Sequence, residues 1–197
     1  MLNNTSSLLT HLRSRRSARP RDLIAPGPDA AQLREIVTMA TRTPDHGKLA
    51  PWRFVAVTAD QRDAFAAMLR EAYLVEKPDA GRLELDSMDL FAHQAPAFVA
   101  VLSTPDMASK IPLWEQHLSA GAITMNLLHA AHAFGFVGGW VTGWPAYNRD
   151  VATALGAGPA DRIAGFVFIG TPSAGLEERV RPDLDTVLID WTHARPT

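Results

Sequence analysis

The chain has 197 residues, which is long enough for one domain that buries most of its unfolded surface. It contains no cysteine, which excludes a disulfide framework, a zinc finger and a cysteine nucleophile. Its 19 Lys and Arg against 21 Asp and Glu give a net charge of −2, which argues against a dedicated nucleic-acid binder, since such domains are usually basic.

The longest apolar stretch, residues 122–141, is a poor membrane span because Asn126, His129 and His132 interrupt it. No apolar region follows the N-terminal charges as a signal peptide would require, although the Arg- and Ser-rich start is also typical of an organellar presequence. We therefore expect a cytoplasmic protein that binds neither a membrane nor nucleic acid.

The first half of the chain alternates between helix and strand signals. A short N-terminal amphipathic helix is indicated by four leucines, Leu2, Leu8, Leu9 and Leu12. Asp29 and Gln32 have the spacing of a capping pair, which predicts a helix that extends to about Thr41. After it we expect a strand over 54–58, a helix that begins near Asp60, and a more exposed helix over 76–92.

The second half of the chain contains longer apolar runs. It predicts, in order, a strand over 97–102, a long helix over about 114–134, a strand over 137–142, a helix over 148–155 and a strand over 163–170. The tail has several turn signals and then a β-branched run, for which we expect a short strand over 186–189 that pairs away from its own body. The whole sequence predicts one α+β domain with helices over a central sheet.

The most informative segment is the connector between the second predicted helix and the first strand, residues 42–54, called here the connector loop. Pro44, Gly47 and Pro51 prevent a helix from running through it. Polar and aromatic side chains are concentrated there, and loops on a rigid scaffold are where ligands are held. The plainer interpretation is a rigid turn whose Trp52 fills the core.

Two further segments have a composition suited to a phosphate-bearing aromatic ligand. Residues 13–19 contain four arginines, and guanidinium groups donate in a planar fork that matches phosphate, although arginines near a terminus often form only a solvated surface. Residues 136–143 contain a glycine pair that leads into an aromatic and β-branched run, and glycine permits close approach of a backbone.

Several familiar catalytic signatures are absent from the sequence. There is no dinucleotide-binding glycine fingerprint, Walker A motif, nucleophile elbow or zinc-protease motif. His129 and His132 are three residues apart on a predicted helix, but no acid or third histidine is near them in sequence. We interpret them as a packed or surface pair, and expect no metal site.

The motifs, in this order, resemble those of the FMN-dependent nitroreductase family in its small, single-domain branch. They are Arg15-Arg16-Ser17-x-Arg19, Pro44-Asp45-His46 with Pro51-Trp52, Trp114-Glu115-Gln116, Gly138-Gly139-Trp140 and Gly170-Thr171-Pro172. The resemblance covers nearly the whole chain, 1–197. It implies a central mixed, mainly antiparallel sheet flanked by helices. It also implies a homodimer with two FMN sites at the subunit interface and a C-terminal arm exchanged between the subunits.

The resemblance also implies which residues bind FMN. Those expected to hold the phosphate and the ribityl chain are Arg15, Arg16 and Ser17. Those expected along the flavin ring are Trp140, Val141 and Thr142. Arg42 or His46 would stabilise the negative charge that reduction places near N1 and O2. Many members have glutamine immediately before Pro-Trp, whereas Ala50 stands here, and the tail residues Arg179 and Arg181 are open candidates for the phosphate.

The activity that the resemblance implies is electron transfer from NAD(P)H to a nitroaromatic, quinone or related acceptor by a ping-pong mechanism. No catalytic acid or base is expected, because the flavin carries the chemistry. The same fold and cofactor also serve flavin reduction and dehydrogenation in other members, so the reaction stays open. A flavin carrier without activity is the alternative, and Ala50 is the feature that favours it.

Overall fold

The structure is a computed structural model, and it describes residues 2–191. Within that range the helices are α1 (Leu8–Ser14), α2 (Ala30–Ala40), α3 (Arg62–Glu76), α4 (Arg82–His93), α5 (Leu113–Ala133), α6 (Arg149–Ala154) and α7 (Leu184–Val187). The strands are β1 (Leu23–Ile24), β2 (Trp52–Ala56), β3 (Ala97–Ser103), β4 (Val137–Val141) and β5 (Arg162–Pro172).

The long strand β5 organises the sheet. It pairs with β3 along one edge and with β4 along the other, and its last two residues pair with β1. Strand β2 pairs with the free side of β3. The expected α+β fold with a sheet flanked by helices is confirmed. All four strand pairings within residues 2–191 are antiparallel, so the parallel component of a mixed sheet is not found among them.

Alternation of side chains along β3 and β5 builds a separate core on each face of the sheet. On one face, Phe98 stacks on Phe168 with ring centroids 4.7 Å apart, and α3, α4 and α6 cover them. On the other face, Val99 and Val167 pack under α2 and α5. The domain therefore has three layers. Helices α2 and α5 pack side by side on the second face of the sheet.

Most predicted elements are found within a few residues of their expected limits. The capping pair at the start of α2 is present, since Asp29 Oδ1 accepts from the Gln32 backbone N–H at 2.8 Å and Gln32 Oε1 accepts from the Asp29 backbone N–H at 3.0 Å. The predicted strand over 186–189 is wrong. Asp183 caps a short helix, α7, which takes up part of that run.

Large apolar side chains remain exposed in several parts of the surface, and three groups of them lie on α1, on α5 and in the tail. Those on α1 are Leu8, Leu9 and Leu12; those on the first half of α5 are Leu113, Trp114 and Leu118; those in the tail are Val180, Leu184, Val187, Leu188, Ile189 and Trp191. Each is more than two-fifths exposed in the single chain, from 42% for Leu113 upward. Among residues 2–191, no helix combines the length and apolar character needed to cross a bilayer.

Candidate functional site

The connector loop is held in an irregular shape by one carboxylate. Asp45 accepts hydrogen bonds from the backbone N–H groups of Leu49, at 3.2 Å, and Ala50, at 2.7 Å. Lys48 and Ala50 adopt left-handed backbone conformations, with φ of 56° and 47°. This region costs a residue with a Cβ about 1–2 kcal/mol. The loop therefore contains strain that the Asp45 contacts offset, and such strain is concentrated at functional sites.

Helix α5 anchors the middle of the loop through Ser119. Its hydroxyl donates to the Pro44 carbonyl at 2.8 Å and accepts from the Trp52 indole N–H at 3.2 Å. Trp52 also packs against the core beneath α2 and α5. Trp52 is half-buried, so it packs against the core without filling it, and the same side chain fixes the loop.

A second anchor lies two turns further along α5. Asn126 Nδ2 donates to the Arg42 carbonyl at 3.1 Å and to the Thr43 hydroxyl at 2.6 Å. At the start of the helix, Glu115 lies 2.6 Å from Nδ1 of His46, and both side chains are exposed. Within residues 2–191, the Arg42 guanidinium and Nε2 of His46 make no hydrogen bond or ion pair, so both are available to a ligand.

Three arginines form a cluster at the end of α1, Arg15, Arg16 and Arg181, called here the arginine cluster. Arg15 Nη1 donates to the Ser17 hydroxyl at 3.2 Å, and Arg16 Nε donates to the Glu177 carbonyl at 2.7 Å. Burial, and then the charges of Arg181 and Arg16, lower the pKa of Arg15. Arg15, Arg16 and Ser17, which were predicted to hold a phosphate, therefore lie together in this chain, and of the two tail arginines left open, Arg181 lies close enough to lower the pKa of Arg15.

The arginine cluster lies next to β4 because the chain that follows it runs against this strand. The Ala18 backbone N–H donates to the Gly138 carbonyl at 3.3 Å. A Cβ at Gly139 would lie 2.5 Å from the Ala18 carbonyl oxygen, and one at Gly138 would lie 2.6 Å from Leu128. The close approach that the glycine pair permits is thus made by the protein's own chain and side chains. Two of the three predicted segments are brought together.

Trp140, Val141 and Thr142 follow at the end of β4. The Trp140 indole N–H donates to the Ala164 carbonyl at 3.1 Å, beside a bulge in β5. A Cβ at Gly165 would lie 1.9 Å from the indole nitrogen, so only glycine leaves room for the ring. Trp140 stays 38% exposed, and Val141 and Thr142 are half-buried. The strand therefore presents a rigid, partly exposed aromatic edge.

The connector loop does not join these two segments within one chain. Among residues 2–191, no hydrogen bond, ion pair or ring contact links it to the arginine cluster or to Trp140–Thr142. Arg42 instead lines a groove of about 840 Å³ between α1, α2 and α5, together with Leu8, Leu12, Met39 and Asn126. One chain thus holds two separated parts of the predicted site.

A histidine cluster that the sequence did not predict lies where α1 packs on α5. His11 Nε2 is hydrogen-bonded to His129 Nδ1 at 2.8 Å. The His11 ring also lies edge-on to the His132 ring, with 5.3 Å between the ring centroids. His132 is 1% exposed, and both its ring nitrogens lack a partner within residues 2–191. Burial, followed by the charges of His11, Arg15 and His129, lowers the pKa of His132 to about 3. In the part of the chain that the structure describes, no group of acidic, histidine or cysteine side chains is arranged to hold a metal ion.

The sequence and the α+β fold match a known class of oxidoreductase. A family model described as the nitroreductase family matches residues 12–171. The chain belongs to the nitroreductase family, and the resemblance inferred from its motifs is confirmed.

Individual relatives agree with this assignment. A Haemophilus influenzae protein named "Putative NAD(P)H nitroreductase" is 37% identical over 174 residues, which cover 88% of this chain and 91% of that protein. The Escherichia coli K12 protein "Putative NAD(P)H nitroreductase YdjA" is 34% identical over 150 residues, or 76% of this chain and 81% of that protein. A nitroreductase-like protein from Bacillus cereus has the same fold, with a TM-score of 0.79 at 21% identity over 96% of this chain and 98% of that one.

Proposed function

We propose that the protein is an FMN-dependent oxidoreductase that transfers electrons from NAD(P)H to a nitroaromatic, quinone or related acceptor. The observation that carries the proposal is the arginine cluster beside the partly exposed edge formed by Trp140–Thr142. The names of the relatives at 34–37% identity support NAD(P)H as the reductant. A single FMN-binding domain over residues 1–197, in a cytoplasmic protein, is part of the same proposal.

The arginine cluster fits the terminal phosphate of FMN. Within residues 2–191, no carboxylate lies within ion-pair distance of Arg15, whose pKa is lowered by burial and by two like charges. A phosphate would relieve this repulsion and would accept charge-assisted hydrogen bonds from the guanidinium groups and from the Ser17 hydroxyl. The absence of an adenine-binding fingerprint from the sequence favours FMN over FAD.

The remaining predicted residues suit the flavin ring. Trp140, Val141 and Thr142 would lie along it, and the free donors of Arg42 and His46 would stabilise negative charge on its pyrimidine edge. Bound FMN would supply a reversible two-electron carrier that accepts hydride and passes electrons on. The protein would hold and tune that group and would leave one face of the flavin open, so that the two substrates bind there in turn. No side chain would be an indispensable proton donor.

A second copy of the chain would complete the site. The connector loop and the arginine cluster are separated within one chain, and exposed leucines on α1 lie beside the groove that Arg42 lines. In a homodimer the loop of one subunit would reach the cluster of the other, with the C-terminal arm exchanged. Such an interface would exceed the ~1,600 Å² typical of a stable complex. Light scattering should find a dimer at low micromolar concentration; a flavin-loaded monomer would contradict this.

The decisive experiment compares two arginines of the same helix region. Replacing Arg15 with Ala removes a charge-assisted contact worth roughly 1.5–3 kcal/mol, so FMN should bind about tenfold to a hundredfold more weakly in a fluorescence titration. Arg13 is exposed and makes no hydrogen bond or ion pair within residues 2–191, so Arg13→Ala is the matched control. Equal effects of the two substitutions would refute the phosphate assignment.

A flavin carrier is the second candidate, and one observation favours it. Ala50 offers no side-chain donor, and its backbone N–H is already bonded to Asp45. A stopped-flow record of flavin absorbance after mixing with NADPH separates the two functions. Rapid bleaching followed by reoxidation with a quinone or nitroaromatic supports the enzyme, whereas unchanged absorbance supports the carrier.

A further inference from the structure

One carboxylate lies inside the arginine cluster, and the proposed reaction gives it no role. Glu178 Oε1 accepts from the Arg179 backbone N–H at 2.8 Å and from Arg181 Nη2 at 2.7 Å, and it lies 3.7 Å from Arg16 Nε. All three contacts therefore converge on a single carboxylate oxygen. Arg16 is 12% exposed at its side chain, whereas Glu178 is 52% exposed, so the acid reaches the cluster from its solvent side.

The surroundings of this oxygen are those of a phosphate oxygen. Charge-assisted donors that combine backbone N–H groups with guanidinium groups are the usual partners of phosphate in proteins. The Arg179 N–H, followed by the charges of Arg181 and Arg16, lowers the pKa of Glu178, so the carboxylate is ionised at neutral pH. Within residues 2–191, it is the one acidic side chain paired with the arginine cluster.

The contact is also one that a stronger anion can replace. Exposed ion pairs contribute little to stability, because water and salt screen them. The tail does not depend on this side chain alone, since Arg16 also donates to the Glu177 backbone carbonyl at 2.7 Å. The Glu178 side chain can therefore leave while the tail stays against the cluster.

We propose that Glu178 is an internal counter-anion that occupies the phosphate contacts of Arg16 and Arg181 and is displaced when a phosphate ligand binds. The proposal rests on the proposed function only in naming FMN as that ligand. Glu178 neutralises part of the cluster in the free protein and lowers its affinity for phosphate.

The test is a binding comparison of Glu178→Gln with Glu177→Gln. Both substitutions remove one negative charge from adjacent residues, but the Glu177 side chain makes no hydrogen bond or ion pair within residues 2–191. Three ligands are titrated at low and high salt: FMN, riboflavin, which lacks the phosphate, and inorganic phosphate. Calorimetry follows phosphate and fluorescence follows the flavins.

Glu178→Gln should bind FMN and inorganic phosphate about twofold to fivefold more tightly than the wild type, the range expected for removal of an exposed ion pair. Riboflavin affinity should not change, Glu177→Gln should match the wild type, and the gain should shrink at high salt. Weaker FMN binding, an equal gain with riboflavin, or the same gain in Glu177→Gln would each overturn the proposal.

The two proposals fail in different ways. If FMN does not bind but phosphate binds Glu178→Gln more tightly than the wild type, the proposed function falls and the counter-anion remains. If FMN binding depends on Arg15 but is the same in Glu178→Gln and the wild type, the function stands and the counter-anion falls. If neither FMN nor phosphate binds any variant, both are wrong.

Discussion

Acid should destabilise the protein through His132, and replacing this residue with leucine should remove part of the effect. The ring is buried where α5 packs on α1, it has no hydrogen-bond acceptor within residues 2–191, and the groups that face it are His11, Arg15 and His129. A second positive charge there would meet both desolvation and repulsion. The folded protein therefore keeps His132 neutral well below the pH at which the unfolded chain protonates it.

The magnitude follows from the two pKa values. In the unfolded chain His132 has its ordinary pKa of 6.5, and in the folded protein burial lowers it to about 3. Between these limits the unfolded state binds the extra proton, so stability falls with falling pH by about 1.4 kcal/mol per unit. His132 should thus reduce the free energy of unfolding by about 2 kcal/mol at pH 5 relative to pH 7, and by very little above pH 7.

Denaturant unfolding at pH 5, 6, 7 and 8, at fixed protein concentration, provides the measurement. Between pH 7 and pH 5, the free energy of unfolding of His132→Leu should fall by about 2 kcal/mol less than that of the wild type. His93 is a control whose effect on stability has the opposite pH dependence. Hydrogen bonds to the Asp89 carbonyl and the Asp63 carboxylate raise the pKa of His93, so protonated His93 stabilises the folded protein in acid and this stabilisation is lost as pH rises. His93→Gln should steepen the acid decline. Identical slopes for His132→Leu and the wild type would refute the argument.

Three further substitutions test individual contacts in the fold and the site. Gly165→Ala should displace the Trp140 indole, because the new methyl group would lie 1.9 Å from its nitrogen; a shift in tryptophan fluorescence and weaker flavin binding should follow, and an unchanged spectrum would contradict it. Arg62→Met should lower the free energy of unfolding in denaturant by about 2–4 kcal/mol, because Arg62 donates to three buried or half-buried backbone carbonyls. A decrease of less than about 1 kcal/mol would contradict this. Asn126→Ala should loosen the connector loop and raise its amide exchange, while exchange in β3 stays unchanged.

Local signals in the sequence predicted the elements well where the determinants are neighbours in the chain. The start of α2 depends on Asp29 and Gln32, which bond to each other's backbone. The β-branched run at 186–189 misled because the Asp183 side chain caps the residues before it and starts a short helix, Leu184–Val187, that takes in the first half of the run.

The parts of the site that the sequence could not predict come from distant segments. Ser119 and Asn126 anchor the connector loop from α5, at sequence separations of 75 and 84 residues. No composition signal marks a serine or asparagine on a long helix as a loop anchor. His11 likewise reaches His129 across 118 residues, which is why a histidine pair was inferred where the structure has three.

The strained connector loop affects how the proposed ligand would be bound. Asp45, Ser119 and Asn126 already hold its backbone in a single shape, so little conformational entropy would be lost when a ligand arrives. The conformational entropy of the loop is already lost when the chain folds, and folding also supplies the free energy that holds Lys48 and Ala50 in left-handed backbone conformations. Recognition of the proposed ligand at this loop would thus be closer to lock-and-key than to induced fit, and a more flexible loop of the same composition would release that ligand sooner.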